Sequence, residues 1–491
     1  MLYDIAIIGA GVIGAALFQE LGKFRTKSVL IEKENDVALG GSRANSAIVH
    51  AGYDPPVGSL MAKFNVEGNQ LYPKLCEELS VPFHQNGSLV VALCEEDKVI
   101  LRQLYENGVR NGVKGLELID AEAVLSLEPQ LHSSICGALL APTGGIVGAY
   151  EFTIALAENG IFNGGEVLLN SKVVKIEKFL VGGKKLNDLK KDGFFRLTFS
   201  SGKFIEARYV INAAGGYSAI VQQLIGSRRF SVIPRRGEYY ILDKRQGNIV
   251  DHTIFMCPSE LGKGVLISPT VHGNLLVGPN AQDCTNREDF STSRNGLDFV
   301  RKTSALLSNK IDFRDSIRNF AGLRAIPSTG DFIIELDPDV SGLINLAGIK
   351  SPGLTSAPAI AKYVVGLLAD SGLDLREKKD FNPYRFQTYF FELSDSEKEE
   401  LIRKNPSFGR IVCRCEKISE GEILESIHRV LGATTLDGVK RRCRPGSGRC
   451  QGGFCAPRVL DILARELGET RDLLTKDKNG SYILTGKTKK S

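Results

Sequence analysis

Five of the ten cysteines in this 491-residue chain fall within 43 positions, and four of them are paired: Cys413-x-Cys415, then 34 intervening residues, then Cys450-x4-Cys455. Thiolates spaced in this way bind metal; a chain of this length does not need a disulfide framework. Zinc sites more often use C-x2-C to C-x4-C knuckles and commonly recruit histidine. Four thiolates equally suit a [2Fe-2S] cluster. In "GRCQGGFCAPRVL" two glycines free the loop between Cys450 and Cys455, and Pro457 suits the first turn of a helix whose positive end would favour thiolate. Cys443 breaks the pairwise spacing and is expected to be a buried or free thiol.

A second chemical pattern lies at the other end of the chain. "DIAIIGAGVIGAALFQELG" is an apolar strand, a G-x-G-x-x-G turn at Gly9, Gly11 and Gly14, and a helical pattern, and "SVLIEKE" adds a strand ending in Glu32. Gly9 permits a tight turn, Gly11 lets backbone N–H groups approach a pyrophosphate, Gly14 allows close helix–strand packing, and Glu32 can accept ribose hydroxyls. Further on, "RYVINAAGGYSA" runs a strand into Ala214, Gly215 and Gly216, as a second cofactor-contacting turn of a two-domain flavoprotein would. No second G-x-G-x-x-G follows a strand. FAD is therefore the expected bound cofactor, with any NAD(P) handled elsewhere.

These groups need elements to hold them. Residues 1–370 alternate strand-like runs, glycine-rich turns and helical patterns, the mark of an α/β oxidoreductase body. Residues 371–408 turn polar and charged around a capping box from Ser394 to Glu397, and are expected to be a linker. Residues 409–470 form a compact unit with a second capping box, Ser419 to Glu422, and a helix in "APRVLDILAREL". Residues 471–491 are a polar, lysine-rich tail, expected to be mobile. An apolar fraction of 43% is ample for these cores, and no apolar run reaches the roughly 18–20 residues of a membrane span, so a cytoplasmic protein is expected, with peripheral membrane contact through a partner left open.

The net charge of +5 is unevenly spread. Residues 409–491 hold 17 Lys+Arg against 10 Asp+Glu, leaving about −2 for the rest. The run "KRRCRPGSGR" from Lys440 lacks interleaved aromatics and sits in no nucleic-acid fold signature, so nucleic acid is set aside. It is expected to be a solvated face that steers an acidic redox partner and offsets the charge of a thiolate-bound cluster.

Taken together, "GAGVIG", "GSRANSAIVHAGYDPPVGSLMAKFNVEGN", "RRGEYYIL", "LGKGVLISPTVHGNLLVGPN", "FAGLRAIPSTGDFIIE" and "AGIKSPGLTSAPAIA" resemble the D-amino-acid-oxidase-like FAD superfamily. Within it they look most like glycerol-3-phosphate dehydrogenases and oxidases, and less closely like L-2-hydroxyglutarate dehydrogenases. "VCRCEKISEGEI" and "GRCQGGFCAPRVL" resemble the [2Fe-2S] domain of bacterioferritin-associated ferredoxin, although the x4 spacing departs from that protein's tighter second pair. The resemblance implies a two-lobed, Rossmann-like FAD body with a mixed-sheet substrate lobe and a small helical cluster domain.

It also implies roles. Among six histidines, His50 is the candidate base for a hydroxyl proton, with Asn45 and Ser46 beside flavin or substrate. Lys263 and Arg324 are candidates for an anionic group of the substrate, a phosphate or a carboxylate, Ser351 adds a hydroxyl, and Arg235 or Arg236 could serve instead. Gly348, Gly353, Leu354 and Thr355 fall where backbone N–H groups would meet the flavin. The expected activity is oxidation of a small phosphorylated polyol. Electrons would leave through the cluster to a companion NAD(P)-linked flavoprotein or membrane-associated subunit, and a homo-oligomer is allowed. A 2-hydroxyacid or amine dehydrogenase and a non-catalytic redox sensor are the rival readings.

Overall fold

The computed structural model describes residues 2–180, 185–186, 188–190, 192–258 and 264–486. The strand Leu2–Ile8 is buried along its second half because it is central, pairing in parallel with Ser28–Ile31 on one side and Phe204–Asn212 on the other. A central parallel strand is covered on both faces, which is why "IAII" is unbroken by polar residues. Across this sheet the order runs 173–179, 194–199, 204–212, 2–8, 28–31, 166–168, and Leu343–Ala347 lies in parallel against the second half of Phe204–Asn212. Ile8 is in register with both Ile31 and Asn212. Gly9, Glu32 and Ala213 therefore emerge side by side at the carboxyl edge, where open α/β sheets bind ligands. The helices Val12–Leu21, Ala149–Phe162 and Gly353–Asp370 cover one face of the sheet through Leu17, Phe18, Phe152 and Ile360.

The second sheet has nine strands and is mixed, as expected: Thr253–Met256 runs parallel to Ser88–Ala92 within otherwise antiparallel pairings. Its longest pairing joins Val232–Leu242 to Ser316–Pro327, with Arg235 opposite Arg324 and Gly237 opposite Gly322. This ribbon lies directly on the loop after Ser42. A Cβ added at Gly322 would come within 1.9 Å of the Ala44 carbonyl oxygen, so only glycine fits there.

The helical unit after residue 410 keeps both expected features, the Ser419–Glu422 capping box and the helix Ala456–Leu467 with Pro457 in its first turn. It also holds the helix Leu436–Cys443, N-capped by Thr435, and this helix overturns the expectation of a solvated basic face. Arg441 and Arg442 are buried, and both close on Asp36, which follows the strand Ser28–Ile31 of the FAD lobe. Arg442 donates to the two Asp36 oxygens at 2.8 Å each, and Arg441 donates to Oδ2 at 3.0 Å. Arg444 pairs with Glu416 at 3.1 Å and Arg449 with Asp243 at 3.2 Å. The basic run is mostly spent on holding the small unit against the body.

Two further expectations need correcting. Residues 371–408 are no free tether: Lys378 N–H donates to the Lys23 carbonyl, the buried Arg385 pairs with the buried Glu158, and Phe390 is buried. The tail is tied down as well, at least to residue 486. Leu474 is buried in the core of the small unit, and Asp477 pairs with Arg441 at 2.6 Å and with Arg43 of the FAD lobe.

Burial alone would raise the Asp36 carboxyl, but the Arg442 and Arg441 guanidinia outweigh it and hold the group at about 2. An ordinary aspartate titrates near ~3.9. The contact's full stabilisation is therefore present above about pH 4 and is lost as pH falls through 2. Replacing Asp36 with Asn leaves the Arg442 guanidinium buried without a carboxylate, Arg441 keeping Asp477, at a cost of roughly 3–5 kcal/mol. Hydrogen exchange over 436–443 is expected to accelerate in Asp36→Asn at pH 7, with the gap from wild type closing below pH 3. Equal exchange in the two proteins at pH 7 would show that another contact seats the unit.

Candidate functional site

One cleft runs from the carboxyl edge of the first sheet to the ribbon above it. Its nucleotide end is built by chain geometry. Gly9 has φ +107°, and a Cβ there would meet the Ala213 carbonyl oxygen at 2.5 Å; a Cβ on Gly14 would meet the Gly9 carbonyl oxygen at 2.0 Å. Gly14 thus packs helix on turn and does not line the cleft, whereas Gly9, Gly11, Glu32, Ala214 and Gly215 do. Ser42 Oγ accepts the Val12 N–H at 2.8 Å and so caps the first turn of the glycine-loop helix. Burial pushes the Glu32 carboxyl up, opposed by the N–H groups of Ala10 (2.9 Å) and Glu34 (3.1 Å). A ribose diol seated on Glu32 and an anion at the glycine turn satisfy this arrangement, so the donor set fits a dinucleotide such as FAD.

The far end carries the reactive groups. His50 Nε2 lies 3.1 Å from Ser351 Oγ, and its backbone N–H donates to Thr355 Oγ1 at 2.9 Å. The His50 carbonyl accepts from Asn65 and Asn69, so main-chain bonds on both sides fix where the imidazole starts. Ser46 Oγ is 3.3 Å from the Tyr239 hydroxyl, and Tyr239 stacks on Phe320 of the facing strand at 4.6 Å. Asn45 turns inward on its own loop: it accepts the Ala47 N–H at 2.7 Å and donates to the Gly41 and Ser42 carbonyls, although the residue still borders the cleft.

Arg324 also lines this end, its guanidinium packed where a Cβ on Gly237 would sit, 2.8 Å from one terminal nitrogen. Among the described residues no carboxylate pairs with it. Arg235 and Arg236 differ: Arg235 pairs with Asp283 at 2.5 Å, and Arg236 with Asp289 at 2.6 Å and Gln282 at 2.8 Å. Arg235 and Arg236 are thus saturated, whereas the Arg324 guanidinium, which lines the cleft without a carboxylate partner among the described residues, can meet an incoming anion. Lys263 lies outside the described residues.

Gly353 and Leu354 open the helix Gly353–Asp370 toward the cleft. Gly348, at φ +63°, packs on Pro327 and does not line the wall, and the fully buried Thr355 acts through its hydroxyl on His50. Tyr239, Phe290 and Lys478 line the cleft without having been expected to. The alternation of "RRGEYYIL" could have flagged Tyr239, because a strand lying on the cofactor lobe must turn every second side chain to it.

The four thiols come as two pairs. Cys415 and Cys450 are exposed with their sulfurs 3.7 Å apart, and Cys413 and Cys455 are buried, the Cys455 thiol holding that of Cys413 below its ordinary range. Cys455 is also the N-cap of the helix Ala456–Leu467. Two dithiolate pairs match a binuclear cluster, in which each iron takes two cysteines. Cys443 stands apart: its thiol, pushed up by burial, donates to the Val439 carbonyl within the hydrophobic core.

Comparison with known proteins agrees with both halves. The family model described as FAD dependent oxidoreductase matches residues 4–367, and that of the BFD-like [2Fe-2S] binding domain matches residues 411–465. A relative from Caloramator mitchellensis, named glycerol 3-phosphate dehydrogenase, is 49% identical over 99% of each chain. Another from Mycoplasma genitalium, named glycerol 3-phosphate oxidase, is 32% identical over 77% of this chain and 97% of its own. The solved L-alpha-glycerophosphate oxidase of Mycoplasma pneumoniae with FAD bound superposes with a TM-score of 0.73 at 28% identity, over 79% of this chain and all of that one. With the glycine turn, Glu32 and the paired thiols in place, the chain belongs to the FAD-dependent oxidoreductase family and carries a [2Fe-2S] domain behind its flavin body.

Proposed function

We propose that this enzyme oxidises sn-glycerol 3-phosphate to dihydroxyacetone phosphate and passes the electrons by way of the cluster domain to a partner protein. When bound, FAD supplies a two-electron hydride acceptor and the [2Fe-2S] cluster a one-electron carrier. The observation that carries the reading is the Arg324 guanidinium, without a carboxylate partner among the described residues, in the same cleft as the His50–Ser351 pair. A phosphate dianion satisfies the guanidinium fork, and Lys263 is assigned as its second cation. At the reacting carbon the C2–H leaves as hydride while His50 Nε2 takes the hydroxyl proton, so the two hydrogens lost by the alcohol are accounted for.

Ser351 holds the imidazole until the substrate hydroxyl arrives, and Leu354, in the first turn of its helix, would turn the helix's positive end to the flavin, the Gly353 N–H being donated to the Lys350 carbonyl at 2.6 Å. Relatives named for the same substrate, one of them similar over nearly the whole chain, support the choice of polyol phosphate. Export to a partner is supported by the placement of Cys415 and Cys450 at the surface. A companion NAD(P)-linked flavoprotein or a membrane-associated subunit would serve. Among the described residues no helix is long and apolar enough to cross a membrane.

Anaerobic flavin bleaching on mixing with glycerol 3-phosphate, 2-hydroxyacids and amino acids tests the substrate, and a faster response to any of the others would replace it. His50→Ala is expected to keep its FAD while bleaching slows by roughly 10²–10⁴; unchanged kinetics would remove the imidazole from the reaction. Arg324→Ala should weaken glycerol 3-phosphate at least tenfold while leaving glycerol nearly untouched, since only the phosphate loses a charge-assisted partner. Equal losses on both would point to a folding defect. Cys413→Ser with Cys415→Ser is expected to abolish the cluster's visible absorption and partner-linked transfer while substrate still bleaches FAD, and iron and sulfide analysis checks the loss.

A further inference from the structure

Both family models stop short of the last stretch of the chain, one at residue 367 and the other at 465. Yet Lys478 lines the FAD cleft, at the end marked by Glu32, Lys33 and Glu34. Its ammonium is 3.0 Å from Glu34 Oε1 and sits 5.6 Å from the centre of the Phe290 ring, which also borders the cleft. We infer that Lys478 is a cofactor-site residue, brought to the adenosine end of FAD by a C-terminal hairpin, and that FAD retention therefore depends on the seating of the cluster domain.

The hairpin is built to place this one side chain. Thr475 bridges Tyr482, Lys476 N–H donates to the Ser481 carbonyl at 2.8 Å, and Asp477 N–H donates to Ser481 Oγ at 2.9 Å. Ser481 Oγ in turn donates to the Lys478 carbonyl at 2.6 Å, and Gly480 takes φ +82° to close the turn. On one side the hairpin is held by the cluster domain, through the N–H of Asp437 on the Lys476 carbonyl at 2.7 Å and through Arg441 on Asp477. On the other it grips the FAD lobe, where Asn35 donates to the Asp477 carbonyl at 2.8 Å and Asn479 to Asn170 at 2.6 Å.

Charge explains what the lysine does. Glu32, Glu34 and Glu288 all border this end of the cleft, where a cofactor carrying a pyrophosphate must enter. Glu32 has its ribose role. Lys33 lies 3.0 Å from Glu288 and 3.2 Å from Glu34, so it is shared between two carboxylates. Lys478 supplies the second cation needed to balance Glu34, and its stem adds wall to the cleft. Without it, a carboxylate faces an anionic ligand.

The test uses the full-length holoenzyme and reads free-FAD fluorescence after dilution, with cluster absorption as the check that the small domain is intact. Lys478→Ala is expected to release FAD about tenfold faster, with a matching rise in Kd, and Lys478→Glu faster still. Lys478→Arg should retain FAD as wild type does, and adding Glu34→Gln to Lys478→Ala should recover most of the loss, which a purely structural role for the tail would not produce. Asp36→Asn, which unseats the cluster domain, should also speed release. Release from Lys478→Ala within twofold of wild type would overturn the assignment, and unchanged release from Asp36→Asn with the domain demonstrably unseated would overturn the coupling.

Discussion

Two buried carboxylates of the flavin body take arginines from the cluster domain, Glu158 from Arg429 at 3.0 Å and Asp36 from Arg441 and Arg442, and of these Asp36 ties the unit to the nucleotide loop. Asp36 lies four residues beyond Glu32, on the loop leaving the strand that supplies the ribose acid, and it takes three guanidinium N–H bonds from the cluster domain. Buried ion pairs are poor sources of net stability but strong specifiers of geometry, because a misplaced partner leaves an uncompensated charge inside. Here the specified geometry joins nucleotide loop to cluster domain. The Arg441 that reaches Asp36 also reaches Asp477, and Asp477 anchors the hairpin that delivers Lys478. Seating the cluster domain and walling the FAD cleft share one set of charges.

The same economy of charge distinguishes the arginines around the cleft. Arginines on the substrate ribbon occupy similar positions in the sequence, yet Arg235 and Arg236 are saturated by Asp283, Asp289 and Gln282 while Arg324 faces the cavity. A saturated guanidinium shapes the strand edge, whereas one without a carboxylate must be satisfied by water or by ligand. His50 follows a parallel logic. Its main-chain bonds to Thr355, Asn65 and Asn69 leave the imidazole positioned by neighbours that are not themselves reactive.

What was legible in the sequence was whatever short-range geometry determines. The glycine turn with Glu32 is a local problem of chain reversal and close approach, and it folds as its spacing requires; so do both capping boxes, whose partners are three residues apart. The spacing of the four thiols picked them out as a set but not how they pair, since Cys415 meets Cys450 from 35 residues away. The basic run was misjudged because its partner lies some 400 residues away, and nothing local distinguishes an arginine bound to Asp36 from one in water. The tail misled likewise: its lysines suggest solvent, while its ordering rests on Arg43, Arg441 and Asn35. Thr355 was expected to offer its backbone N–H, and the structure puts its hydroxyl to use as the acceptor of the His50 N–H.

The fold imposes an asymmetry on the four thiols of the cluster domain. Cys413 and Cys455 are enclosed by Val412, Ile423, Val459 and Leu463, whereas Cys415 and Cys450 stand at the surface. Arg414, next to Cys415 in sequence, lies over the Phe454 ring at 4.8 Å and Arg458 lies over the same ring at 5.2 Å, with Phe454 45% exposed. Among the described residues neither arginine has a carboxylate partner, unlike Arg441, Arg442 and Arg444, which face inward. The cluster domain therefore divides its cations by task. The inward set fastens it to the flavin body. The outward pair, with the part-exposed Phe454 ring between Arg414 and Arg458 in sequence, gives the cluster domain a positive, partly aromatic surface.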